Sequence, residues 1–171
     1  VVFFYREVSN GLDFNYNSFT YFNFLEQVVR GVEIETALRP TDKLSLTANY
    51  TFISPTERTQ SRKTFSDTSY NYLLRRAKHN INATVGYQLS KAAFISFTAK
   101  AASKRFDAGG YLANDVALNN YTLLGAYAEY RINKYFKFFA DAQNITNKKF
   151  FDVRGFNSIP TTVNGGVTVN W

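Results

Sequence analysis

A chain of 171 residues with no Cys and a single His has few groups that do covalent chemistry. Without Cys there is no disulfide framework, no thiolate zinc site and no cysteine nucleophile. His79 alone cannot build a histidine metal cluster. Glu33 and Glu35 stand at i, i+2, the spacing that puts two carboxylates on one face of a strand. Paired carboxylates serve general acid–base work, but here the expected partners are the cations Arg131 and Lys137, or another protein segment. No phosphate-binding glycine loop, nucleophile elbow or metal motif appears. No cofactor is implied, and an enzyme is not expected.

Positive charge is the more informative signal: 20 Lys and Arg stand against 13 Asp and Glu, a net charge of +7. Arg58, Arg62, Lys63, Arg75, Arg76, Lys104, Arg105, Lys148, Lys149 and Arg154 concentrate in a few stretches, together with Tyr70, Tyr72, Phe106, Tyr111 and Phe156. Cations mixed with aromatics suit an anionic ligand or phosphate-rich lipid; solvated charge with no ligand is the plainer alternative. The candidate ligand contacts are Arg58, Arg62, Lys63, Tyr70, Tyr72, Lys104, Arg105, Phe106, Tyr111, Arg154 and Phe156.

The elements that carry these residues have a period of two. Leu44, Leu46, Ala48, Tyr50 and Phe52 alternate with polar residues, as do Ile81, Ala83, Val85 and Tyr87, then Leu124, Ala126, Ala128 and Tyr130. Successive strand side chains point to opposite faces, so each segment has one dry and one wet face. Phe139 is an apolar exception on the wet side of its strand. Strands are expected at about 1–8, 17–38, 43–54, 76–89, 92–103, 119–132, 135–146 and 161–171. The second is too long for a bilayer; it is expected to project above the membrane, with a bulge at Gly31 possible, rather than to break near Arg30 and Gly31. Tight turns near Pro40, Ser90 and Asn133 alternate with long connections at about 55–75, 104–118 and 147–160. Short, long, short, long is the pattern of an up-and-down transmembrane β-barrel.

No apolar run reaches the roughly 18–20 residues of a membrane-spanning helix. The N-terminus does not read as a secretory signal, and the missing initial Met suits a processed chain or a piece of a longer one. Only closed barrels of strands satisfy every backbone polar group in hydrocarbon. The apolar face should then look outward to lipid, with Tyr50, Phe52, Tyr87, Tyr130, Phe136 and Trp171 in the interfacial girdles and His79 near one of them. The face expected to line the lumen carries Glu33, Glu35, Lys78, Asn80, Asn82, Glu129, Arg131, Lys137, Asp141 and Gln143.

Asn164, Gly166, Val169 and Trp171 lie in the register of the C-terminal signal of outer-membrane barrels, a strand readable by edge pairing. Arg30-Gly31-Val32-Glu33-Ile34-Glu35, Leu46 to Phe52, Arg75-Arg76-Ala77-Lys78-His79-Asn80 and the run Phe138 to Phe150 with its Asn144-Ile145-Thr146-Asn147 exit resemble the C-terminal third of TonB-dependent outer-membrane receptors. Ala77 stands where the family usually has Pro. The resemblance implies the last eight strands of a barrel of about 22, filled by an N-terminal plug. It also implies a place in the outer membrane of a Gram-negative bacterium and uptake of a scarce solute such as a ferric siderophore or cobalamin. The implied partners are outer-membrane lipid, the barrel-assembly machinery through the C-terminal strand, a small-molecule ligand, and the plug and TonB complex through parts outside these residues. Nucleic acid is not among them. Two alternatives stay open: a small autonomous eight-stranded outer-membrane barrel with a structural or adhesive role, and a soluble basic β-protein that binds nucleic acid.

Overall fold

The computed structural model describes residues 1–15 and 18–171, so the first residue of the expected 17–38 strand, Asn17, lies outside the described residues. The elements are β1 (Val2–Ser9), β2 (Leu12–Asn15), β3 (Thr20–Asn23), β4 (Glu26–Thr41), β5 (Leu44–Gln60), β6 (Asp67–Tyr70), β7 (His79–Gln88), β8 (Ala93–Ala102), β9 (Arg105–Asp107), β10 (Val116–Leu118), β11 (Tyr121–Arg131), β12 (Phe136–Gln143) and β13 (Thr162–Val169). The wall is one antiparallel sheet in the order β1-β4-β5-β7-β8-β11-β12-β13, with β6 paired to the far end of β5. Among the described residues β1 and β13 each pair on one side only. The wall is therefore open, and the autonomous eight-stranded barrel, which needs those two strands paired, is not formed.

Each short turn is fastened by a side chain that accepts backbone N–H bonds. Thr41 Oγ1 accepts from Lys43 and Leu44, Ser90 Oγ from Ala92 and Ala93, and Asn133 Oδ1 from Tyr135 and Phe136. Such local bonds supply the turn with partners that the strand ladder cannot. The opposite end carries the long connections 61–78, 103–120 and 144–161, and a fourth, 10–25, that the sequence pattern hides. The expected long strand breaks at Phe24 and Leu25, because Phe24 N–H turns to Gly11 O (2.9 Å) and Leu25 N–H to Arg58 O (3.0 Å). Gly31 carries no bulge: it pairs in unbroken register with Phe4 and Ile53, and the irregularity falls between Leu38 and Thr41. Even so β4, at 16 residues, runs roughly 50 Å and overshoots a bilayer as expected.

The two faces are chemically distinct. Val32 pairs with Phe52, Ile34 with Tyr50, Val85 with Phe97, Tyr130 with Phe138 and Phe138 with Val167, giving one continuous apolar face. It is exposed: Val85 is 42% accessible, Phe97 55% and Phe138 44%. Leu44, Val85, Leu124 and Phe138 share no dry interior. The buried apolar cluster is small, Ala77, Ala102 and Tyr121 with Leu123 and Phe150 against them, and belongs to the polar face near the long connections. On that face three aromatic rings lie over glycines: a Cβ on Gly31 would strike the Phe4 ring, one on Gly86 the Phe94 ring and one on Gly166 the Phe139 ring. Phe139, the exception in the alternation, is thus a ring packed on the glycine opposite it, an arrangement that makes up for the missing glycine side chain.

Candidate functional site

The long connections fold over the polar face and bring distant residues together. Just after β5, Ser61 closes a turn by accepting from Lys63 and Thr64 N–H groups, which aims Arg62 across the wall. Its guanidinium donates to Glu57 Oε2 (3.0 Å) and Asp115 Oδ2 (2.7 Å) and lies 4.6 Å from the Tyr70 ring centre. Tyr72 O–H donates to the same Asp115 oxygen (2.8 Å), and its ring stacks on Phe106 at 4.0 Å, with Lys104 Nζ 5.2 Å from the Phe106 ring centre. A bond chain continues from Glu57 through Gln27 (3.1 Å) to Arg6 (2.5 Å), tying the loops to β1 and β4.

Charge placement follows from burial. The Asp115 and Glu57 side chains are almost wholly buried. Burial disfavours the Arg62 cation, but Asp115 and Glu57 outweigh it and raise its pKa above the ordinary arginine value. Burial first, and then the bond to Asp115, push the Tyr72 hydroxyl above the usual tyrosine range, so Tyr72 acts as a hydrogen-bond donor at any physiological pH.

A second clasp forms on Asp107, 1% accessible. It accepts from Arg75 Nε (2.7 Å), Arg154 N–H (2.6 Å) and Ala108 N–H (2.9 Å), while the Arg154 guanidinium donates to Gly109 O. Burial opposes the Asp107 anion, yet the N–H bonds and Arg75 win and hold its pKa below the ordinary aspartate value. A third clasp centres on Arg105, which reaches Asp152 (3.1 Å) and Phe151 O (2.9 Å) and lies over the Tyr121 ring. At the exit of β12, Asn144 adopts a left-handed backbone (φ 48°). Its amide donates to Lys148 O and Ile159 O, and its Oδ1 accepts from Lys148 N–H.

The sequence-derived candidates thus sort into groups. Arg62, Tyr70, Tyr72, Lys104 and Phe106 form one cluster. Arg105 and Arg154 are bound into the clasps, Arg105 as a buried cation turned inward. Arg58 is exposed beside Glu26 at 3.7 Å; Lys63, Tyr111 and Phe156 are exposed and separate. On the polar face Lys137 pairs with Glu129 (2.9 Å), which also accepts from Tyr127 O–H (2.8 Å). Lys137 therefore does not serve Glu33 or Glu35: Glu129, two residues from Arg131 and on the neighbouring strand, is nearer in register. Glu33, Glu35 and Arg131 are exposed; Asn82 donates to Asn49 (2.8 Å), Gln143 to Asp141 (3.1 Å), and Lys78 and Asn80 are half-buried. Asn164 and Val169 pair with Asp141 and Phe136, and Trp171 follows the end of β13. His79 stands on the apolar face, tilted against Phe52 and bonded through Nδ1 to Tyr50 O–H (2.7 Å). The acids Glu57, Asp107, Asp115 and Asp152 escaped the sequence reading; their only signal was being carboxylates inside otherwise basic stretches.

The family pattern described as "TonB dependent receptor-like, beta-barrel" matches residues 1–145. The chain belongs to that family. Among solved structures, the TonB-dependent fold is matched by the siderophore receptor PiuA from Acinetobacter baumannii, with a TM-score of 0.79, 20% identity, and coverage of 98% of this chain and 25% of that one. The ferric-catecholate import receptor Fiu from K12 E. coli gives 0.76 at 18% identity, covering 98% and 24%. The ferripyoverdine receptor of Pseudomonas aeruginosa gives 0.75 at 13%, again covering 98% and 24%. At these identities the likeness shows the fold, and the chain spans about a quarter of each receptor. No curated protein sequence matches.

Proposed function

We propose that this chain is the C-terminal wall of an outer-membrane receptor that takes up a ferric siderophore, with the plug and the coupling to TonB supplied by other parts of the protein. The observation that carries this reading is the gathering of Arg62, Tyr70, Tyr72, Phe106 and Lys104, from two separate connections, over the polar face of a TonB-dependent barrel wall. Iron chelates are polar and often anionic, and they present flat rings; cations and stacked aromatics at one mouth suit them. The receptors named above are described as catecholate, siderophore and ferripyoverdine receptors, which favours an iron chelate over cobalamin.

In this reading the apolar face meets lipid and the polar face lines the lumen. The Tyr50, Phe52 and His79 level and the Tyr87, Tyr130 and Phe136 level then form the two aromatic girdles. From His79 to Tyr87 the strand covers about 27 Å, or roughly 20 Å of height after the usual tilt, close to an outer-membrane hydrocarbon band. A soluble nucleic-acid binder would have no use for so large an exposed apolar face. The division of labour follows from the bonds: a hydrogen-bonded wall holds its shape, while loops clasped by ion pairs present the ligand groups. Outer-membrane lipid meets the apolar face, and the terminal strand with Asn164, Gly166, Val169 and Trp171 is the segment for the assembly machinery.

The test is iron-55 uptake by cells whose only siderophore receptor is the intact protein containing this chain. Uptake of at least one ferric siderophore that disappears with the gene supports the proposal. Equal uptake with and without the gene across hydroxamate, catecholate and carboxylate chelates refutes it.

A further inference from the structure

The short-turn end of the wall repeats one device three times, at 41–44, 90–93 and 133–136. In each turn a side-chain oxygen, from Thr41, Ser90 or Asn133, accepts two backbone N–H bonds. Each turn also holds one lysine: Lys43, Lys91 or Lys134. An exposed apolar side chain comes just before it, Leu38 at 53% accessible, Leu89 at 51% and Ile132 at 59%. Leu38 belongs to the apolar face, since it pairs with Leu46 and Leu46 with Val85. Leu89 and Ile132 continue the alternation of Tyr87 and Tyr130. The apolar face thus gives way to a lysine at every short turn.

The charge at these turns is uniform. Over 37–44, Arg39 and Lys43 stand against Asp42, while 89–93 and 132–136 each hold one lysine and no acid. Every turn therefore keeps a single net positive charge. The three lysines are exposed, and none joins an ion pair among the described residues. Lys134 Nζ lies 4.8 Å from the centre of the Tyr135 ring. The turn backbones do not need these ammonium groups, because the caps already serve their N–H groups. At the opposite end the pattern differs: Arg62, Arg75 and Arg105 are each matched by an acid. The strand order sets successive short turns two strands apart, on the order of 10 Å. Each lysine is thus a separate point of contact along one rim.

A lysine at the edge of a lipid-facing surface lays its alkyl stem along apolar neighbours and holds its charge among the headgroups. That charge attracts lipids with a net negative headgroup. We infer that the three turns form a rim that selects anionic glycerophospholipids over zwitterionic ones. The inference rests on the receptor reading, which puts the short turns on the periplasmic side, and adds a lipid class to the apolar face. Lys43, Lys91 and Lys134 each contact one headgroup phosphate, while Leu38, Leu89 and Ile132 meet the glycerol end of its acyl chains.

The experiment places the intact receptor in phosphatidylcholine vesicles that contain a photoreactive phosphatidylglycerol or, in a parallel run, a photoreactive phosphatidylcholine. Cross-linked peptides are mapped for the wild type, K43Q/K91Q/K134Q, the charge-preserving K43R/K91R/K134R and, as a charge control at the other end, K149Q. Heat-modifiable gel migration verifies that each barrel is folded. The inference predicts that peptides holding the short turns capture phosphatidylglycerol about fivefold more than phosphatidylcholine at low salt. The two yields should become nearly equal in K43Q/K91Q/K134Q, while K43R/K91R/K134R and K149Q keep the preference. Added salt should shrink the preference in the wild type, a readout that needs no variant. Equal yields in the wild type mark the lysines as solvated charge and overturn the inference. A preference that persists in the folded glutamine variant, or that K149Q also abolishes, overturns it as well. So do equal lipid yields joined to lysine-dependent co-sedimentation with peptidoglycan, which give the turns to a different polymer. Each of these leaves the receptor reading standing. No cross-link to either lipid anywhere on the apolar face overturns both.

Discussion

Replacing Arg62 with Met keeps much of the side-chain volume and removes the one cation that Glu57 and Asp115 share. Both carboxylates are nearly inaccessible, at 6% and 2%, so they cannot turn to solvent without the loop opening. Breaking a buried pair from one side typically costs about 3–5 kcal/mol. The loss falls on local opening of 61–78 and 103–120, since the wall strands keep their ladders. At 1.4 kcal/mol per decade, the open population should rise roughly 10²- to 10³-fold until the loops are mostly open. The assay is hydrogen exchange on the intact receptor, with peptides from β7 and β8 as internal reference and protease nicking as a second readout. Adding E57Q and D115N to R62M replaces two buried anions by neutral groups and should recover much of the protection. Unchanged exchange in R62M, or no recovery in the triple variant, refutes the view that these loops are held by charge pairing.

Asp107 has a lowered pKa in the folded loop, so its stabilisation is fully present above the ordinary aspartate value and fades as pH falls through the depressed one; exchange of 103–110 and 150–156 should stay slow down to the ordinary aspartate value and quicken as pH falls below it, whereas D107N should be quick throughout. Asn144→Asp keeps the acceptor for Lys148 N–H but loses both donated bonds, so it should loosen 144–161 by about 1–3 kcal/mol of local stability, with N144A losing more; exchange in that segment checks the order. A Cβ on Gly31 meets Phe52 O, a backbone atom, at 2.5 Å, so G31A must shift a strand and should lower the folded, heat-modifiable fraction, whereas G165A, whose Cβ meets only ordinary contacts, should not. V85R puts a charge on the apolar face at mid-span and should cost about 2–4 kcal/mol, while T84R on the polar face should be tolerated; membrane-integrated yield separates them.

The wall was legible because its apolar and polar faces impose opposite demands on alternate residues, and that contrast survives in the sequence as a period of two. The eight wall strands match their expected segments to within a few residues except where the contrast disappears. From Thr56 to Gln60 the inward residues are Glu57 and Thr59, both buried, and the outward ones are polar as well. A strand above the bilayer has no greasy side, so β5 continues beyond its expected end and β6 joins it unannounced. The reverse error occurs at Phe24, an apolar residue that reads as strand but packs inward over Gly11. The loop site was legible in kind and illegible in arrangement. Cations and aromatics stood out by composition, but Arg62 and Asp115 lie 53 residues apart, and only the folding of two long connections toward each other over the polar face brings them together.

That separation divides the labour between wall and loops. Apart from the far end of β5, which pairs with β6 of a long connection, the ladders of β4, β5, β7, β8 and β11 satisfy their own backbone groups without help from the loops, and the short turns carry their own caps. Loop sequence is then free to vary, provided each buried carboxylate keeps a cation and each clasp an anchor. Arg62, Arg75 and Arg105 reach acids on other connections, and those pairs set how far each loop leans over the polar face. Changing a clasp should therefore alter the width of the mouth without altering the register of any strand.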